Sequence, residues 1–230
     1  GNIVVKYGEQ CEITIGPKLL NHASYSLNDG ILVYQDDFKK TNLNFPDWND
    51  DDYKIIITIP NQHTAMDSLY VDVRFGSIDL RNVKSSATKV SGVNRINLSG
   101  MSAQTLEVSA QLAELSAENL SVTDGLTLNV SGGSALVFGD IHGNIEISST
   151  MIGNVDLTLN SSNRTDYAVS ARNINNEAAD ADILMRPGFF IDGERFEYDY
   201  SDSNSGARNT ITIQSDNFGP IEDISIHFSK

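Results

Sequence analysis

Glu107 and Glu146 are the two acids in this sequence with the best claim to chemistry. A pair of carboxylates can break a glycosidic bond when one protonates the leaving oxygen and the other activates water from about 6.5–9.5 Å away. If the chain is folded as its periodicity suggests, these two stand two strands apart on one outward face, with Thr127 between them. Their backbones are then roughly 9.6 Å apart at ordinary strand spacing. The same row holds Tyr70 and Lys89 but no Arg, His or further aromatic ring. Acids on a wetted strand face need no catalytic explanation, so no catalytic residue is expected. Tyr70, Glu107, Thr127 and Glu146 are instead the candidate ligand face.

Other constellations are weaker. The four histidines, His22, His63, His142 and His227, are scattered, with no two at metal-ligand spacing. Asp140-Ile141-His142-Gly143 brings an acid and a His together beside a glycine, which a tight turn explains as well. No Gly-x-Ser-x-Gly elbow and no phosphate-binding loop is present. The single cysteine, Cys11, forbids an intrachain disulfide and is expected to be a buried, inert thiol in a strand. Asn44 to Asp52 is an acidic, turn-rich loop. Calcium at Asp47 to Asp52 is the alternative there to plain solvation, since the stretch lacks a ligand-spaced glycine. No cofactor or metal is expected.

Charge narrows the partners. Lys plus Arg number 16 against 31 Asp plus Glu, a formal net charge of −15. That balance repels phosphate backbones and anionic lipid, so nucleic acid and bare membrane are excluded as expected partners, and a protein or glycan at a surface remains. The most apolar run, Ile55-Ile56-Ile57-Thr58-Ile59, is far short of the ~18 residues a membrane span needs. Any signal or anchor is expected upstream of Gly1.

The elements that must position the candidate face emerge when apolar residues are aligned at a period of about 19. One ladder runs Leu69, Thr88, Leu106, Leu126, Ile145, with partners two residues on at Val71, Val90, Val108, Leu128 and Ile147. A second, half a period later, runs Ile78, Ile96, Leu115, Ala135, Val155, with partners at Leu80, Leu98, Ala117, Val137 and Leu157. Strand side chains alternate faces, so the residue between two inward ones points outward. The first ladder thereby presents Tyr70, Lys89, Glu107, Thr127 and Glu146, and the second Asp79, Asn97, Ser116, Leu136 and Asp156. Asp79 and Asp156 are roughly 19 Å apart on this register, too far for a hydrolytic pair. Each turn thus supplies two short strands. Four to six buried side chains cannot offset the backbone entropy of one turn, so turns must stack.

Ala103 to Leu120 is rich in good helix formers, yet the ladders pass through it unbroken at Leu106/Val108 and Leu115/Ala117. Strand is therefore expected there. Upstream, Ile3 to Val5, Ile13 to Ile15, Ile31 to Tyr34 and Tyr53 to Ile59 read as strands. After Asn160 the repeat frays. Pro187 to Tyr198 reads as a hairpin turning at Asp192-Gly193, with strands at Thr210 to Ile213 and Ile224 to Phe228. The aromatic residues Phe189, Phe190, Phe196, Tyr198 and Tyr200 suit a cap over an open end, a ligand platform being the alternative.

The strand closing in Ile59-Pro60 and the Gly-polar-aliphatic steps Gly76-Ser77-Ile78, Gly143-Asn144-Ile145 and Gly153-Asn154-Val155 resemble the bacterial adhesin β-solenoid domain family. That family is found in secreted and envelope proteins of unknown function. Residues 102–120 lack the glycine step, and Ser215 to Gly219 replaces the family's plainer turn. The resemblance implies a fold and an extracellular or cell-envelope address, and carries no catalytic residues. The expectation is an all-β chain built on a right-handed parallel β-helix or β-solenoid. A β region at 1–60 packs on a solenoid at 61–165, and strands and a cap follow at 166–230, in one continuous unit. Its expected role is non-enzymatic, as an adhesin or envelope scaffold. A carbohydrate-active β-helix enzyme and a cytosolic scaffold module are the competing classes.

Overall fold

The computed structural model describes residues 2–10, 12–18, 23–28, 31–36, 54–60, 65–160, 162–173, 188–197, 200–202, 204, 206–215 and 223–229. Cys11, the acidic stretch 44–52, His22, His63, Tyr198 and the turn at 216–219 lie outside them. So do the buried-thiol reading and the calcium alternative.

The chain is all-β with a mostly parallel sheet. Before the repeat come β1 (Asn2–Gly8), β2 (Glu12–Ile15), β3 (Ala23–Asn28), β4 (Ile31–Asp36) and β5 (Lys54–Pro60). The repeat itself is β6 (Met66–Arg81), β7 (Lys84–Ser99), β8 (Ser102–Ile141) and β9 (Asn144–Asn160). The remainder is β10 (Tyr167–Asn173), β11 (Gly188–Ile191), β12 (Glu194–Glu197), β13 (Tyr200–Ser201), β14 (Asn209–Ser215) and β15 (Asp223–Ser229). Among the described residues thirteen strands form one sheet, and β3 and β4 pair separately as an antiparallel hairpin. Among the described residues the only helical turn is a 3-10 turn at Arg164–Asp166.

The ladders read from the sequence are hydrogen-bonded neighbours. β6 pairs β7 through Leu69↔Thr88, Val71↔Val90, Ile78↔Ile96 and Leu80↔Leu98. β7 pairs β8 through Thr88↔Leu106, Val90↔Val108, Ile96↔Leu115 and Leu98↔Ala117. β8 pairs β9 through Leu126↔Ile145, Leu128↔Ile147, Ala135↔Val155 and Val137↔Leu157. All of these residues are buried except Leu69, which is half-buried at the margin. Thr88 is tolerated inside because its hydroxyl bonds that of buried Ser85, leaving neither unsatisfied.

β6, β7, β8 and β9 are 16, 16, 40 and 17 residues long, well beyond the ~3–10 residues of ordinary strands. Their registers slip between Val73 and Gly76, Val93 and Arg95, and Ser131 and Gly133. Left-handed residues cluster at these slips, including Gly76, Asn94, Gly132 and Gly133. Each is a β-bulge that lets one ladder end and the next begin. Within β8, Asn129 Nδ2 donates to Ser109 Oγ at 3.5 Å although the two are 20 residues apart in sequence. Ser121 N donates to Met101 O at 2.9 Å in the same way.

Residues 103–120 are strand, not helix. Leu106 and Val108 are buried while Glu107 between them is not, and Leu115 and Ala117 are buried while Ser116 is not, so pairing with β7 overrides local propensity.

The repeat does not fray in space after Asn160. β9 pairs β14 through Ile145↔Ile211 and Ile147↔Ile213, and β14 pairs β10 through Ile211↔Val169 and Ile213↔Ala171. The second ladder runs on through Val155↔Ile224 and Leu157↔Ile226 into Ile224↔Phe189 and Ile226↔Ile191. Strands late in the chain are thus interleaved between β9 and strands that precede them in sequence. The other end repeats the device: β1 lies between β6 and β5, with Ile3 paired to both Ile78 and Ile55.

Outer strands are antiparallel. β2 covers β5, β12 covers β11 and β13 covers β10. The β11–β12 turn is Asp192-Gly193 with φ of 49° and 82°, the doubly left-handed geometry suited to a two-residue hairpin. Phe189, Phe196 and Tyr200 pack on one another with centroids 4.8–5.7 Å apart, and Phe189 is wholly buried.

Candidate functional site

Alternation on the first ladder fixes one outward side chain at each step of the repeat. Tyr70 sits between Leu69 and Val71, Lys89 between Thr88 and Val90, and Glu107 between Leu106 and Val108. Thr127 and Glu146 are likewise held by Leu126/Leu128 and Ile145/Ile147. Tyr70↔Lys89↔Glu107 and Thr127↔Glu146 are direct neighbours in the register. All five line one open groove of about 420 Å³.

A second set of residues makes this face concave. Ser68, Ala87, Thr105, Gly125 and Asn144 also line the groove, at positions that the register places side by side. Ala87 and Gly125 contribute almost no bulk between longer neighbours, which leaves room above them. Gly125 has little freedom to be anything larger, because a Cβ there would lie 2.9 Å from the carbonyl oxygen of Asn144. Asn144 is itself held, its Oδ1 accepting from Thr210 Oγ1 at 2.9 Å.

The electrostatics of the groove are uneven. Lys89 Nζ meets Glu107 Oε1 at 2.7 Å, with both side chains partly exposed. The bond to Glu107 holds the Lys89 ammonium above its ordinary pKa. One carboxylate is thereby neutralised, while Asp124 and Glu146 bring negative charge that no cation in the groove balances. Tyr70 contributes a ring that is 64% exposed, the largest aromatic exposure among the described residues' large apolar side chains. The arrangement offers hydroxyl, amide and carboxylate partners for hydrogen bonds, plus one flat apolar surface.

For acid–base hydrolysis the geometry is poor. Glu107 is spent on Lys89, and Thr127 separates it from Glu146. On the second ladder Asp79 is held by Arg81, whose Nε donates at 2.9 and 3.0 Å. Asp156 lies 3.7 Å from His227. Asp140 and His142 do meet, at 3.0 Å, but on exposed side chains outside the groove. Gly143 beside them is left-handed with its Cα hydrogens against Asp124 O, so a tight turn accounts for the motif. No group of three or more His, Cys, Asp or Glu among the described residues could hold a metal ion.

Sequence reasoning found the row but not its far end. Thr212 of β14 pairs Glu146, and Ser170 of β10 pairs Thr212, extending the outward row by two hydroxyls. A fixed-period search could not reach them, because the order of these strands in space is not their order in the chain. Among the described residues, no helix is long and apolar enough to cross a membrane. Comparison of the chain with family models, curated proteins and solved structures returns no match.

Proposed function

We propose that this chain is a non-enzymatic β-solenoid of a secreted or surface-exposed protein, an adhesin or envelope scaffold, and that the groove is its ligand face. The solenoid reading is supported by three features. Pairings recur about every 19 residues, left-handed bulges interrupt the long strands, and residues 20 apart in β8 lie against one another. The envelope address rests on the resemblance of the glycine steps and the Ile59-Pro60 strand end.

One observation carries the functional reading: a single outward row of five side chains, Tyr70 to Glu146, lines a groove in which the best-placed carboxylate is ion-paired with Lys89. Such a surface binds without reacting. A two-carboxylate carbohydrate-active enzyme needs both Glu107 and Glu146 available to exchange protons with substrate or water, and Glu107 is held by Lys89. The test is to incubate the protein with plant and microbial polysaccharides and follow new reducing ends and unsaturated products. No turnover is expected. Turnover abolished by Glu107→Gln or Glu146→Gln would overturn the assignment. Fractionation of the producing cell should recover the full-length protein in the envelope or medium, and exclusive recovery in the cytosol would favour a scaffold module instead.

A further inference from the structure

We infer that the ligand of the groove is a linear, non-anionic glycan lying across the strands, with one sugar ring stacked on Tyr70. This rests on the reading of the groove as a binding face and names what it binds.

Three features carry it. The row repeats at the strand spacing of about 4.8 Å, close to the length of one pyranose unit, so an extended glycan lying across it sets one sugar over each successive side chain of the row. The polar partners are those that sugar hydroxyls use: the carboxylates of Asp124 and Glu146 accept, Thr127 both donates and accepts, and Asn144 adds an amide. Tyr70, 64% exposed at one end of the row, supplies the flat apolar face that the C–H side of a sugar ring covers.

Charge selects among glycans. Lys89 is satisfied by Glu107, so Asp124 and Glu146 set the sign of the groove, and the whole chain carries −15. Uronate or sulfated chains are repelled, and neutral or amino sugars are not. An extended peptide fits less well, because its side chains alternate faces and only every second one meets the row.

The experiment is calorimetric titration of the whole protein with cello- and chito-oligosaccharides of two to six units, with oligogalacturonates as the anionic control. Affinity should rise with length until about five units span the row. Tyr70→Ala should lose about tenfold and Tyr70→Phe should bind as wild type. Thr127→Arg, which fills the middle of the row, should abolish binding while circular dichroism shows the fold intact. Oligogalacturonate should not bind. Absence of binding by any neutral glycan, no gain with length, an unchanged Tyr70→Ala, or equal binding of oligogalacturonate would each overturn the inference. The wider reading fails differently, by release of reducing ends from these same oligosaccharides.

Discussion

Two glycines with nearly the same backbone separate conformational strain from steric exclusion. Gly143 and Gly193 have φ of 85° and 82°. A Cβ at Gly143 would sit 2.0 Å from Asp124 O, whereas one at Gly193 meets nothing within 4 Å. Gly193→Ala should therefore cost only the left-handed penalty, about 1–2 kcal/mol. Gly143→Ala must also push two strands apart, and its urea midpoint should fall markedly further. Equal losses would mean that the strand bearing Asp124 does not lie over the turn. A second contrast tests inside against outside. Leu128, 1% exposed and paired with Ile147, sits next to half-buried Thr127. Leu128→Asp buries an unpaired carboxylate and should consume several of the ~5–15 kcal/mol typical of a domain. Thr127→Asp should cost far less, through repulsion by Glu146 beside it. Tyr167 gives the pH dependence. Its ring is wholly buried and its hydroxyl donates to Ile141 O at 2.5 Å, and burial raises its pKa above the usual 10. The folded state thus holds the phenol proton more tightly than the unfolded chain. The stability this confers is present below pH 10 and is lost as pH climbs through and beyond it. Tyr167→Phe should be less stable at neutral pH by about 1 kcal/mol but show a shallower alkaline loss in urea midpoints.

Interleaving makes β14 and β15 the elements on which the far end depends. β14 pairs β9 on one side and β10 on the other, and β15 likewise joins β9 to β11. A chain stopped before Asn209 would strip partners from β9, β10 and β11 together. It should lose cooperative unfolding and become sensitive to limited proteolysis across 144–200. A truncated chain that melts as sharply as the whole protein would show that these strands merely decorate an edge. The same interleaving explains what was legible in the sequence. From Leu69 to Leu157, chain order equals spatial order, so a constant period exposed the inward ladders, the outward row and even the strand character of 103–120. Strand β10 was missed because Val169 and Ala171 align with Ile211 and Ile213, a partner that follows in the sequence at no fixed interval. β3 was missed because Ala23-Ser24-Tyr25-Ser26 has too little apolar alternation to stand out. The groove's depth was illegible for another reason. It depends on which small residues, Ala87 and Gly125, fall side by side across strands, and the outward row alone does not show that.

Net charge acts on the molecule as a whole. At −15, self-repulsion works against the compact state, and salt screens it over about 10 Å at 0.1 M. The midpoint of thermal unfolding should rise as sodium chloride is added from low ionic strength to about 0.5 M. A fall would mean that exposed pairs such as Lys89–Glu107 and Arg95–Glu114 outweigh the general repulsion. The interleaved strands have a consequence in time as well as in space. A chain leaving the ribosome makes residues 167–191 before residues 209–229, yet the later segment belongs between the earlier one and β9. The nascent molecule therefore cannot add its layers in the order of synthesis. Either β10 and β11 wait undocked until translation has passed Ser229, or they dock on β9 early and must be displaced. Final docking of β10 and β11 therefore follows synthesis of β14 and β15, an ordering that the regular middle of the molecule does not need.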